Sequence, residues 1–285
     1  MIQFKQYRIF INYSEHSRLR TDSQVRELNK QGQYEKEQTV FNESLKKTDD
    51  PLWKEEIDKY EKAIYKMLEN IESTDVGKLF FKVLNPKTEI WIVPHTSKDF
   101  KKCYCAKTLP LNYDLKPFAG YDKGKGNAYV LFNPNEDFQE DTLFHELIHA
   151  YRYSYDKFEG QHVFAGGEYN TEEFLAMMMQ NIYLSQLGKL QLQFTYHDGF
   201  VDRHPGVHGT KAEIYDHLTD DQQFVQVLKF FLAHEYLAML AAHSLPNVPF
   251  NPFRDYAELE KQMLDIMNTA VNPKDKIKQF PKYPY

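Results

Sequence analysis

Only two cysteines occur in the 285 residues, Cys103 and Cys105, set one residue apart. Cysteines that close rarely form a disulfide, because the closed ring is strained. A single C-x-C with no second Cys or His pair is a weak zinc signal. Both are expected to be ordinary thiols in a reducing compartment. Glycine is also scarce, with 12 residues, which disfavours a glycine-rich sandwich, and no fixed-period repeat occurs. No uncharged apolar run reaches the ~20 residues of a membrane span. The most apolar stretch, FFLAHEYLAMLAAH, is short and carries His234, Glu235 and His243. The opening MIQFKQYRIFINY lacks both a continuous apolar segment and a small-residue cleavage site, so it is no Sec signal peptide. Basic charge is in deficit: 35 Lys and Arg stand against 41 Asp and Glu, a net charge of −6. A general nucleic-acid binder would carry a basic stripe instead. No P-loop occurs, and GYDKGKG lacks the spacing of a dinucleotide fingerprint. These absences predict a chain that is cytoplasmic when made, with no membrane span and no nucleic-acid partner.

Aromatic residues are plentiful, 20 Tyr and 21 Phe, and 42% of the chain is apolar. That is enough for a sizeable core. Ile2 to Tyr13 alternates as a strand, with Tyr7, Ile9, Ile11 and Tyr13 on one face. A charged stretch from Thr21 to Lys47 follows, read as an exposed helix or an arm. Asp50-Pro51 opens a helix with the seam Ile57, Tyr60, Ile64, Met67 and Ile71. A short helix from Asp75 to Leu84, a strand from Thr88 to Val93, a loop and hairpin region, and a strand from Asn127 to Phe132 come next. Helices then follow over about 139–154, 171–187, 220–243 and 254–268. Strands first and helices afterwards is an α+β layout: a small antiparallel or mixed sheet, then a mainly helical half.

One stretch carries chemistry. In LFHELIHAYR, His145-Glu146-Leu147-Ile148-His149 is an H-E-x-x-H. Residues i and i+4 share a helix face, so both imidazoles can reach one ion. Zinc takes imidazole nitrogen readily, and Glu146 stands where a general base for the attacking water is needed. Phe144, Leu147, Ile148 and Tyr151 form an apolar stripe beside them. A bland pair of core histidines is the rival, but buried histidines without a partner would cost stability. A catalytic zinc needs a third protein ligand and an open position. The motif is not extended to H-E-x-x-H-x-x-G-x-x-H, because Arg152 and Tyr155 stand where a glycine and a histidine would be required. The third ligand is sought in Asn170-Thr171-Glu172-Glu173, at the start of the next helix. Asn170 with Glu173 is also a capping box, and acids favour a helix N-terminus in any case. His234-Glu235 lacks a second histidine at i+4 and is read as core packing.

HELIHAYR followed by E-E-x-x-A resembles the gluzincin-type zinc metallopeptidases, and most of all the bacterial effector metallopeptidases of peptidase family M91. VLFNPNEDFQEDTLFHELIHAYR is similar to that family's strand, N-P turn and active-site helix, and the likeness covers roughly residues 90–200. It implies a zincin-like fold, one Zn2+ per chain, His145 and His149 as metal ligands, Glu146 as base, and Glu173 or Glu172 as third ligand. The E-F-L-A wording favours Glu173; the E-E doublet, similar to the clostridial neurotoxins, favours Glu172. Gluzincins add a residue that stabilises the oxyanion. Among Tyr169, His197, Arg203, His204 and His208, His197 is singled out. The implied division is residues 1–75, an N-terminal strand and charged helical region, and residues 76–285, a zincin-like metallopeptidase domain. Within it the sheet would span 88–132, the active-site helices 139–187 and a helical C-terminal part 210–270. The strand from Asn127 to Phe132 would be the sheet edge that pairs with substrate.

The function so implied is a zinc endopeptidase acting on a protein or peptide substrate inside a target cell. It would be secreted or injected by a route needing no cleaved signal, with a secretion apparatus or an immunity protein as further partners. Two rivals stand beside it: a zinc-bearing binding module with vestigial catalysis, and a metal hydrolase of non-peptide amides.

Overall fold

The computed structural model describes residues 1–12, 51–94, 118–122, 127–134, 139–155, 171–189 and 222–269. The charged stretch Thr21 to Lys47, Cys103, Cys105, Tyr169, His197, Arg203, His204 and His208 lie outside the described residues. The chain divides into two compact units, Met1–Gly160 and Gln161–Tyr285. The boundary expected near residue 75 does not coincide with this division, because the first strands and the first helix pack into the same unit as the rest of the sheet.

In the first unit, Ile2–Gln3 (β1) and Ile9–Ile11 (β2) are antiparallel, with Ile2 opposite Ile11. The single strand expected over Ile2 to Tyr13 is therefore a short hairpin. The chain reverses through Lys5, whose φ is 48°, and is closed by the Phe4 N–H donating to Ile9 O at 2.9 Å. Phe4 swings into the core, fully buried. The turn is tied to the first helix at Glu72, which accepts from the Tyr7 hydroxyl at 2.8 Å and pairs with Lys5. Burial, together with that bond to Glu72, pushes the Tyr7 hydroxyl up to about 12.

The first helix, α1, is Pro51–Ser73, and α2 is Asp75–Val83. The buried line of α1 runs Tyr60, Ile64, Leu68, Ile71, whereas Met67 is half-buried, so the expected seam shifts by one residue at its third turn. Thr74 ends one helix and starts the next: its hydroxyl donates to Ile71 O at 2.8 Å and accepts from Gly77 N at 2.9 Å. A β-carbon at Gly77 would lie 1.8 Å from Ile71 O, so no other residue fits this close approach.

Three more strands complete a mixed five-stranded sheet: β3 (Ile90–Val93), β4 (Phe118–Asp122) and β5 (Asn127–Leu131). Their order is β1-β2-β3-β5-β4. β2 and β3 are parallel, β3 and β5 are parallel, and β5 and β4 form the antiparallel hairpin. The strand from Asn127 is consequently not the sheet edge. It lies between two neighbours, fits the continuous apolar run Ala128-Tyr129-Val130 that a twice-paired strand needs, and leaves the outer place to β4. Helix α3, Glu140–Ser154, packs on β4, β5 and α1. Phe144 and Tyr151 meet Phe80 edge-on, at 5.3 and 6.2 Å between ring centres. Tyr60 reaches across to donate to Phe132 O at 2.9 Å.

The second unit holds α4 (Thr171–Gln186), α5 (Gln222–His234), α6 (Tyr236–Ser244) and α7 (Pro252–Thr269). Phe174 stacks on Phe231 at 5.8 Å. The α4 terminus is closed by Gly188, whose φ is 73°, with Gly188 N bonding Ser185 O and Lys189 N bonding Leu184 O at 3.0 and 3.1 Å. The single helix expected over 220–243 is two helices that bend by 99° at Glu235. Glu235 is extended, with φ −112° and ψ 115°; its carboxylate accepts from Leu237 N and starts α6 afresh. Glutamate is a weak N-cap residue by statistics, so nothing in the spacing marks this break. Asn251 joins α6 to α7: its amide donates to Ala241 O at 2.8 Å while its oxygen accepts from Arg254 N at 3.2 Å. Among the described residues no single helix is long and apolar enough to cross a membrane.

Together, seven helices and the small mixed sheet among the described residues make an α+β protein.

Candidate metal centre

Helix α3 is buried on nearly every face, which is uncommon for a helix with so many polar residues. Leu143, Leu147, Ala150 and Ser154 form one buried line, and Phe144, Ile148 and Tyr151 a second. Phe144 and Tyr151 of the second line meet Phe80 of α2. The rest of the circumference is polar yet also covered. Asp141, His145, His149 and Arg152 follow a 4-4-3 spacing and are each less than a tenth exposed. Glu146 is one step further round the helix and is only 4% exposed. A carboxylate held that far from bulk water needs partners, and Glu146, Asp141 and Arg152 are each engaged in interactions of the folded chain.

The two imidazoles face one another through Nε2, 3.1 Å apart, with ring planes inclined by 76°. Bonds of about 2.0–2.1 Å at tetrahedral angles would put two zinc-bound nitrogens roughly 3.3 Å apart, so the pair is close to chelating distance as it stands. His145, His149 and Glu173 form a group that could hold a metal ion: one ligand atom from each, all within 4.8 Å of one another. Among the described residues it is the one such group of histidine, cysteine and acidic side chains. Two histidines and a glutamate are a donor set of catalytic zinc, and three protein ligands leave a coordination position open. The donor chemistry therefore fits the ion that the motif implies.

The two acids at the start of α4 part company. Glu173, half-buried, joins the histidines; Glu172 is 2% exposed and does not belong to the group. The choice between them needs the three-dimensional arrangement, because adjacent helix positions point about 100° apart. Glu173→Ala is expected to weaken metal affinity by at least about tenfold, on the scale of losing a ligand or its direct support. Glu172→Ala should leave metal affinity near wild type and be felt as lost stability. Equilibrium competition with a chromophoric chelator measures both. The reverse order would move the ligand to Glu172.

His234 and His243 are both exposed, and Glu235 is spent on capping α6, so the H-E pair in HEYLA brings no ligands together. The sequence reading missed Asp141 and Arg152. Their signal was available: D-x3-H-x3-H-x2-R keeps one helix face polar for about three turns. No protein-family model, no curated protein and no solved structure matches the chain.

Proposed function

We propose that this chain is a zinc-dependent endopeptidase of the gluzincin type, acting on a protein substrate in the cell that receives it. The observation that carries the reading is the convergence of His145, His149 and Glu173, with a buried Glu146 on the same helix as the two histidines. The resemblance of HELIHAYR and the downstream E-E-x-x-A to the family M91 effector metallopeptidases supports it. The zincin-like description of the fold belongs to the same reading: a mixed sheet whose outermost strand is antiparallel, followed by the helix bearing the motif.

His145, His149 and Glu173 would hold the ion. Bound there, zinc supplies Lewis acidity towards the scissile carbonyl and makes a water acidic enough to lose its proton near neutral pH. Glu146 accepts that proton and returns it to the leaving amine, so one carboxylate serves as base and then as acid. The apolar lines of α3, Leu143 and Leu147 with Phe144 and Ile148, keep the helix fixed while the proton moves. β4 is one of the two edge strands of the sheet and packs against α3. An extended peptide adding to β4 would be held by main-chain hydrogen bonds, which accept many side chains and leave specificity to the flanking surface.

The test is a search for new protein termini, by mass spectrometry, in lysates incubated with wild-type protein with and without a chelator. Cleavage at one or a few sites, abolished by chelation and restored by zinc, is expected. Chelator-sensitive hydrolysis confined to small amides would point to a non-peptide substrate. Stable capture of one protein without any cleavage would point to a binding module.

A further inference from the structure

The end of α3 nearest His149 is held by a device outside the helix. Ser154 O lies in the last turn, where a helix leaves carbonyls without intrahelical donors. It receives two side-chain bonds from the turn that joins α2 to β3: Asn85 Nδ2 donates at 2.6 Å and Thr88 Oγ1 at 3.2 Å. A third bond runs the opposite way, from the Tyr155 hydroxyl to Val83 O at 2.8 Å. Asn85 uses both ends of its amide. Its Oδ1 accepts from Lys87 N at 3.0 Å and its carbonyl from Thr88 N at 3.4 Å, which sets the turn, while Nδ2 reaches the helix. The same turn leads directly into β3, whose register against β5 begins at Ile90 and Ala128. At the other end of α3, Gln139 makes no side-chain capping bond, and Asn70 Nδ2 donates to Glu140 Oε1 at 2.7 Å.

We infer that Asn85 is a positioning residue for the metal centre: it fixes the last turn of α3 to the sheet and thereby holds His149 opposite His145. His149 is five residues from Ser154, about 7.5 Å along the axis at 1.5 Å per residue. The final turn, tightened by Tyr155 N bonding Arg152 O at 3.3 Å, follows directly on the turn bearing His149. A 3.1 Å separation of two nitrogens leaves little tolerance: metal–ligand distances hold within about 0.2 Å. Fraying or rotation of that end would therefore be read at the ion before it is read in the fold. The inference rests on the proposal that these histidines bind metal.

Two substitutions separate the turn from the clamp. Asn85→Asp keeps the acceptor that serves Lys87 N but loses the donor to Ser154 O. It also sets a negative charge at a helix C-terminus, where the dipole disfavours it. Asn85→Ala loses both. In the full-length protein, zinc affinity is measured by competition and the cobalt-substituted centre by its visible absorption. Both variants are expected to bind zinc about fivefold more weakly than wild type. That is less than the 10–100-fold loss typical of a group bonded directly to a ligand. Both are also expected to give a broadened cobalt spectrum. Unchanged affinity and spectrum in a folded Asn85→Asp protein would overturn the positioning role alone, as would loss in Asn85→Ala only, which would assign the effect to the turn. Wild-type protein that binds neither ion would overturn the metal reading and this inference with it.

Discussion

Purified wild-type protein reconstituted with zinc will hold about one equivalent per chain, and His145→Ala or His149→Ala will hold almost none. The imidazoles already stand with Nε2 atoms 3.1 Å apart, so little reorganisation opposes binding. With one histidine removed, two protein ligands remain, too few for a retained catalytic zinc. Metal that binds only the folded chain stabilises it by about 4 kcal/mol at a thousandfold excess over Kd. Chelation should therefore lower the melting temperature of wild type by several degrees, and the histidine variants should not respond to chelator. The comparison that matters is between each variant and chelated wild type. Similar melting temperatures mean the histidines serve the metal. A variant melting far below chelated wild type means they serve packing as well, through the apolar lines that flank them. Elemental analysis finding no transition metal on reconstituted wild type would remove the basis of the proposed function.

The second large effect is expected at Glu146. Glu146→Gln keeps the length of the side chain and nearly its helix propensity, but an amide cannot accept a proton from water. Zinc content and melting temperature should stay close to wild type, while cleavage of the substrate found in lysates falls by at least about a hundredfold, the lower end of what a general base contributes. Retained cleavage would hand the proton to another group. Loss of zinc or of the fold would make Glu146 structural. That alternative has a definite physical content, since its carboxylate is buried and engaged within the folded chain. Measuring zinc content and melting on the same preparation as cleavage keeps the two roles apart.

The legibility of the molecule divides by range. Whatever depends on neighbours within a turn or two could be read from residue order. His145 and His149 meet because an i,i+4 pair must share a helix face. The four helices at Pro51, Asp75, Glu140 and Thr171 begin where proline, a capping threonine or a run of acids places them. The alternation from Ile2 to Tyr13 misled because period two is the same in one strand as in two that fold back. The reversal at Lys5 depends on Phe4 finding the core and on Glu72 holding the turn.

Everything decided by distant partners had to wait for the packed chain. Ala128-Tyr129-Val130 is apolar whether it lies at the edge or inside the sheet; pairing with β3 on one side and β4 on the other makes it internal. Leu68 replaces Met67 on the buried line of α1 because a helix face is selected by what packs on it. The break at Glu235 arises from a carboxylate turned inward to cap α6. Glu172 and Glu173 are chemically identical and adjacent in order. Glu172 is buried and Glu173 belongs to the group with His145 and His149, because helix geometry points neighbours in different directions and residue order does not choose between them.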